Sequence, residues 1–338
     1  IRHRRVSALY RIPFVDLGPQ YREVQTEVEA AALRVLRSGW YVLGPEVEAF
    51  ELAFAKVCGT EFCIGTSSGT SALQIALAAH GIGPGDEVIT TPFTFVATAE
   101  SIRAVGATPV FADADPASWN LDPTKAEAAI TPRTKAILPV HLHGRPADLA
   151  SLETICDKHG LILIEDAAQA HLARSSDRIC GSVGRSACFS FYPGKNLGAA
   201  GEGGAVVTND PDLAKRLRML REFGSERKYH HVLPHGTNAR LESLQAAILS
   251  AKLPKLAEWT RRRRELAARY MELLSSLPLE LPAPEGKDFH VWHVFGVLVA
   301  NRERVQARLT ELGIQTSAHY PVPLHLQQSF AELGHAPG

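Results

Sequence analysis

The sequence predicts an α/β protein, with a mostly parallel sheet flanked by helices and a smaller α/β unit after it. Three observations carry this. Helical and strand patterns alternate from about Glu23 to about Lys252. The strand-like runs are short and apolar, bounded by Gly, Pro, Asp or Thr, as buried parallel strands are. After Asn238 the rhythm changes to one long helical stretch and a compact tail.

Taken in order, apolar residues at three- and four-residue intervals predict helices over 23–37, 45–58 and 69–80. Buried strands are predicted at 87–91, 109–112, 136–140, 161–165, 187–191 and 205–208. Asp122-Pro123 and Asp210-Pro211 each place a capping side chain before a proline suited to the first helical position. The stretch 240–274 reads as one helix bent at Pro254, which has no N–H to donate. Its four arginines at 261–264 are expected to form a solvated face. The tail is predicted to hold a strand at 294–299 and a helix over 301–312, closed by Gly313. The expected division is a large unit over 12–252 and a small one over 253–338.

Composition narrows the function class. The chain has 338 residues, 45% hydrophobic and 21% charged, enough for a large core. Its 36 basic and 36 acidic residues cancel, so nothing points to nucleic acid as a partner. No apolar run reaches the roughly 20 residues of a membrane span. Cys58, Cys63, Cys156, Cys180 and Cys188 are odd in number and form no CxxC pair. That argues against a disulfide framework or zinc site and fits reduced thiols in a cytoplasmic protein. The basic start Ile1-Arg-His-Arg-Arg5 has no apolar signal core behind it. It reads as leader or mobile arm, with more chain expected upstream because the first residue is not Met.

The chemistry is concentrated in four segments. Phe189-Ser-Phe-Tyr-Pro-Gly-Lys195-Asn-Leu-Gly sets a lysine just after a predicted strand among small residues, which lets a flat ligand approach the backbone. Alone it would read as a surface lysine in a glycine-rich loop. Leu161-Ile-Leu-Ile-Glu-Asp166 ends another strand in an acid, at the sheet end where ligands gather. There Asp166 could pair with a pyridinium nitrogen or merely cap a helix. Gly65-Thr-Ser-Ser-Gly69-Thr70-Ser71 is a hydroxyl-rich turn opening a helix, a setting that favours phosphate. Thr91-Pro-Phe-Thr94-Phe95 offers an aromatic ring to cover a planar cofactor, where core packing is the plain alternative. Lysine, acid and phosphate turn together are what pyridoxal 5′-phosphate (PLP) requires.

The chain resembles the DegT/DnrJ/EryC1/StrS family of PLP-dependent sugar aminotransferases, of the aspartate aminotransferase fold type I, from about Val15 to about Gly334. The markers include Gly39-Trp-Tyr-Val-Leu-Gly-Pro-Glu-Val-Glu, Glu165-Asp-Ala-Ala-Gln169, Ser190-Phe-Tyr-Pro-Gly-Lys195-Asn-Leu, Gly201-Glu-Gly-Gly, Asn238-Ala-Arg-Leu and His319-Tyr-Pro-Val-Pro. The resemblance implies that Lys195 carries PLP as a Schiff base and Asp166 meets the ring nitrogen. It places Gln169 near the ring hydroxyl, Phe95 on the ring face, and Gly69, Thr70 and Ser190 at the phosphate. It also implies that Asn238 reaches the phosphate of a neighbouring subunit, hence a homodimer with shared sites. His319, Tyr320 and Tyr41 match segments that line the sugar pocket. His143 and Arg145 stand where the family more often has Tyr and Gln, and 172–177 lacks its usual glycine and aromatic. The chain stops at Gly338, before the family's usual closing segment.

The expected activity is transfer of an amino group from L-glutamate to a keto-sugar nucleotide. Asn238-Ala-Arg-Leu-Glu-Ser-Leu favours the C3 position of a deoxysugar, with C4 amination and an inosose substrate as alternatives within the same chemistry. Three readings from other classes stand beside it. A sugar-dehydrating relative would carry His in place of Lys195, and a non-catalytic PLP-binding regulator would leave Lys195, Asp166 and Gln169 without purpose. A metal hydrolase on His141, His143, His230 and His231 is disfavoured, on the expectation that His141 and His143 lack a carboxylate at ligand spacing.

Overall fold

The computed structural model describes residues 10–284 and 286–336. The basic start at 1–5 and Gly338 lie outside the described residues. The first helices are α1 (Gly18–Glu23) and α2 (Gln25–Ser38). The single helix expected over 23–37 is therefore broken at Val24, whose φ of −127° and ψ of 17° leave the helical region. Next come α3 (Pro45–Cys58), β1 (Phe62–Thr66), α4 (Gly69–Ala79), β2 (Glu87–Thr90), α5 (Ala97–Ala104), β3 (Thr108–Phe111), α6 (Pro123–Ala128), β4 (Thr134–Ile137), α7 (Leu149–His159) and β5 (Ile162–Asp166). A small hairpin, β6 (Arg174–Ser175) and β7 (Arg178–Ile179), precedes β8 (Ser186–Ser190), β9 (Gly204–Thr208) and α8 (Pro211–Leu220). A second hairpin, β10 (Ser225–Arg227) and β11 (His230–His231), leads to α9 (Ser243–Lys252), α10 (Leu256–Leu274) and α11 (Arg302–Glu311). The caps behave as the sequence suggests: Asp122 accepts from the Thr124 and Lys125 N–H groups, and Asp210 from those of Asp212 and Leu213.

The main sheet runs β1-β9-β8-β5-β4-β2-β3. Strands β3, β2, β4, β5 and β8 are parallel, while β9 is antiparallel to both β8 and β1. The carboxyl ends of β1, β2, β5 and β8 therefore meet on one side, at Thr66, Thr90, Asp166 and Ser190. Side chains alternate across the sheet. Ile89, Leu163 and Val207 pack with α3, α7 and α9, while Val88, Ile164 and Val206 pack with α4 and α8. The sheet is thus covered on both faces, which is why its strands read as nearly continuous apolar runs.

Beyond the sheet, α9 and α10 are separated by a 3₁₀ step at Leu253–Lys255 that contains Pro254, so the predicted bend is there. The strand expected at 294–299 is not. A strand needs a continuous ladder, and only Leu298 pairs, exchanging both backbone bonds with Glu280 at 2.9 and 3.0 Å. The arginine run also differs from expectation. Arg261 and Arg262 are exposed and paired with Glu265, Glu23 and Glu258. Arg263 and Arg264 turn inward, donating to the carbonyls of Trp292, His293 and His290. Near the other end, Ile12 pairs with the segment after α11: its N–H donates to Gly313 and its carbonyl accepts from Gln315, both at 2.9 Å. Among the described residues no helix is long and apolar enough to cross a membrane.

Candidate active site

At the sheet's carboxyl side, α4 begins immediately past β1. Ser68 and Ser71 form a reciprocal capping box, each hydroxyl accepting the other's backbone N–H at 3.0 Å. By helix geometry the N–H groups of Gly69 and Thr70 have no intrahelical acceptor and point along the positive end of the dipole. Gly69 lies against the end of β8 so closely that a Cβ there would be 2.7 Å from the Ser190 Cβ. Glycine is the residue that lets the turn and Ser190 share one concavity. The predicted phosphate residues Gly69, Thr70 and Ser190 are brought together.

Asp166 ends β5 on the same side and is buried. Its Oδ2 accepts from the Thr98 hydroxyl at 2.8 Å and its Oδ1 from the Ala168 N–H at 3.1 Å. Thr98 is bonded in turn to the Thr94 hydroxyl at 3.1 Å. Burial pushes the Asp166 carboxyl up, and these donors together with Lys195 oppose that without cancelling it. A cationic ring nitrogen would supply the missing counter-charge. Lys195, just beyond β8, has its amine lowered to about 8 by burial, with Asp166 pulling the other way.

Gln169 follows on the turn after β5. Its Oε1 accepts from the His143 N–H at 2.6 Å and its Nε2 donates to the Tyr320 hydroxyl at 3.3 Å. The backbone donor fixes which end of the amide is oxygen, and Nε2 keeps a second hydrogen for an acceptor such as a ring oxygen. Phe95 is 54% exposed, so it is no core residue; its ring lies 6.2 Å from that of Tyr320. Tyr320 also meets Phe93 edge-on at 6.5 Å, and His319 approaches His143 at 6.4 Å and Phe14 at 5.4 Å. Burial lowers His143 to about 4, lowers His319, and raises Tyr320 to about 12, so this wall is built of uncharged rings at neutral pH.

Asn238 and Tyr41 stand apart from this cluster. Both are exposed, and Asn238 Oδ1 accepts from Arg240 Nε at 3.1 Å, leaving the amide hydrogens free to face outward. The stretch that carries Asn238 continues to Ser243, whose N–H donates to the Tyr41 carbonyl at 3.0 Å. Among the other histidines, His230 and His231 are exposed on β11. His141 corrects the sequence reading, because it has a carboxylate partner: its Nε2 lies 2.9 Å from Glu165, and Cys180 completes a buried trio. Its Nδ1 accepts from the Ala147 N–H, which makes Nε2 the protonated nitrogen that donates to Glu165. Glu165 also accepts from the N–H groups of Gly181, Val183 and Gly184. The trio is a satisfied structural network.

Sequence reasoning did not assign Thr98 a role, and its partner Thr94 lies in the loop before α5, where no helical spacing links the two. It also missed the His143 backbone, which acts on Gln169 from 26 positions away and leaves no local signal. The assembled residues fit PLP: an open helix start for its phosphate, a buried acid for its ring nitrogen, an amine of lowered pKa and an exposed aromatic face.

Comparison with known proteins agrees. The profile of the DegT/DnrJ/EryC1/StrS aminotransferase family matches residues 22–338. The erythromycin biosynthesis sensory transduction protein EryC1 of Saccharopolyspora erythraea is 50% identical, over 97% of this chain and 89% of that protein. A Streptomyces venezuelae protein named dTDP-3-amino-3,4,6-trideoxy-alpha-D-glucose transaminase is also 50% identical, over 97% of this chain and 86% of the relative. The crystal structure of S. venezuelae DesV, solved with a ketimine intermediate, superposes with a TM-score of 0.93 at 50% identity, covering 97% and 88% of the two chains. Fold, site and kinship lead to one conclusion: the chain belongs to the DegT/DnrJ/EryC1/StrS family and is a PLP-dependent aminotransferase.

Proposed function

We propose that the enzyme moves an amino group from L-glutamate to C3 of a nucleotide-linked keto-deoxysugar. The observation that carries this is 50% identity, over nearly the whole chain, to a transaminase named for a dTDP-3-amino-trideoxyglucose. The uncharged wall of Phe93, His143, His319 and Tyr320 suits a deoxygenated sugar face, which offers little to a charged pocket.

Bound PLP supplies an electron sink conjugated to the carbon that loses or gains the amine. The chain's own residues do the rest. Lys195, its amine near 8, is neutral often enough at working pH to take a proton from the glutamate α-carbon and to return one to the sugar carbon. Asp166, held by Thr98 and Ala168, keeps a positive charge on the ring nitrogen. The remaining Gln169 hydrogen would go to the ring oxygen, Phe95 would cover one ring face, and Gly69, Thr70 and Ser190 would take the phosphate. Asn238 serves the phosphate of the second subunit of a homodimer, with Tyr41 beside the same boundary. His319 and Tyr320 line the sugar site. The reading divides the chain into a cofactor unit at 12–252 and a smaller unit at 253–338. The cysteines, all free and buried, fit a cytoplasmic enzyme.

The test is a half-reaction screen. Holoenzyme treated with L-glutamate should lose the visible absorbance of lysine-linked cofactor, and a 3-keto-deoxysugar nucleotide should restore it. Restoration by a 4-keto sugar or an inosose instead would reassign the acceptor. The Lys195→Ala variant should lack both that absorbance and multiple turnover; sustained turnover would sink the mechanism.

A further inference from the structure

β1 is an edge strand, hydrogen-bonded to β9 on one side, with no strand of the sheet on the other. Edge strands leave backbone groups unpaired, and a buried unpaired group is costly. At Gly65, the last but one residue of β1, both open groups are satisfied by side chains. Its N–H donates to Glu51 Oε1 at 2.7 Å, and its carbonyl accepts from Arg221 Nη1 at 3.0 Å. Glu51 and Arg221 are themselves paired at 2.6 Å and buried, at 8% and 7% exposure. One comes from the middle of α3 and the other from the end of α8. The ion pair thus supplies one acceptor and one donor to Gly65, as a neighbouring strand would.

The same pair reaches the stretch that carries Asn238. The Arg221 carbonyl accepts from the Ala239 N–H at 3.1 Å, and the Ala239 carbonyl accepts from the Ser67 N–H at 2.9 Å. Thr66 and Arg240 form a bridge, as do Glu222 and Asn238. A Cβ on Gly65 would come within 2.9 Å of Leu241, so the strand and this stretch are in close contact. Arg221 therefore touches the base of the turn at Gly69-Thr70 and the base of the outward-facing Asn238 at once.

We infer that Glu51 and Arg221 are positioning residues for the cofactor phosphate, setting the turn of their own site and the Asn238 offered to the neighbouring one. This rests on the reading that the turn at Gly69-Thr70 holds that phosphate. The chemistry favours placement over stability as the pair's role. A buried ion pair replaced by apolar residues of similar volume is often neutral or stabilising, whereas breaking it singly is destabilising. The apolar pair would leave Gly65 with no partner and the turn free to shift.

The experiment compares wild type, Glu51→Gln, Arg221→Met and the double variant Glu51→Leu/Arg221→Met. Each apoprotein is melted, then titrated with PLP and, separately, with pyridoxal, which lacks the phosphate. The single variants should bind PLP at least tenfold more weakly and bind pyridoxal within about twofold of wild type. The double variant, which leaves no lone buried charge but still leaves Gly65 unpaired, should melt between the single variants and wild type without regaining PLP affinity. Recovery of PLP affinity in the double variant would overturn the proposal, as would an equal loss for PLP and pyridoxal in the single variants. Wild type that does not distinguish PLP from pyridoxal would overturn the phosphate reading beneath it, and the proposal with it.

Discussion

Burial brings the Lys195 amine down from 10.5 to about 8, and that shift has a consequence for the protein without cofactor. Between those two values the unfolded chain holds the proton that the folded chain has released. The unfavourable burial of the charge is fully present below pH 8 and disappears as pH rises toward 10.5, so this residue's contribution to stability increases with pH. At 1.36 kcal/mol per pKa unit the change amounts to at most about 3 kcal/mol. Cofactor-free Lys195→Met protein should melt above the wild type at pH 7.5 or so, with the gap closing as pH rises; a gap that does not narrow would refute the buried-amine account. Lys195 and Asp166 were legible in the sequence because each follows a recognisable strand, so local text places both at one sheet end. The orientation of Gln169 was not, since the donor that fixes it is a backbone N–H on another loop.

Among the elements, α10 shows what a charge run conceals. Consecutive helical residues are 100° apart, so four arginines in a row span most of the circumference and cannot share one solvated face. Arg261 and Arg262 take the outer side, while Arg263 and Arg264 hold the segment at 289–293. That segment matters to the site, for the Val291 carbonyl accepts from Asn196, the residue after Lys195, and the His293 N–H donates to the His143 carbonyl. Arg264 also lies over the Phe289 ring at 3.9 Å. Arg264→Ala should therefore destabilise the fold by about 1–3 kcal/mol, judged from a charged hydrogen bond and a cation–π contact, while Arg261→Ala should change it by less than about 0.5 kcal/mol. Urea unfolding of the two variants checks this, and equal effects would return the whole run to the surface. The strand expected at 294–299 failed for a related reason: pattern describes a segment, whereas a strand depends on a partner, and of this segment Leu298 alone forms a bridge, to Glu280.

For the whole molecule, the sheet was legible because strands covered on both faces are apolar throughout, while β1, which ends in a glycine and a threonine after only three apolar residues, carried too weak a pattern to be found. The placement of Asn238 outside its own cluster gives a test of shared sites. Lys195→Ala and Asn238→Ala protomers mixed into hybrid dimers should recover about half the wild-type activity, because one site then combines both defects and the other has neither. If Asn238 served its own subunit, each site would keep one defect and nothing would be regained. The pairing of Ile12 with Gly313 and Gln315, and of Phe14 with Gln315 across 301 positions, brings in the time of synthesis. At about 5–20 residues per second a ribosome needs roughly 15 to 60 s between these partners. Phe14, which stacks on His319, must wait that long with its apolar surface uncovered. The ring wall at His319 is thus among the last parts of the newborn chain to close, and until then Phe14 is a surface for a chaperone to shield.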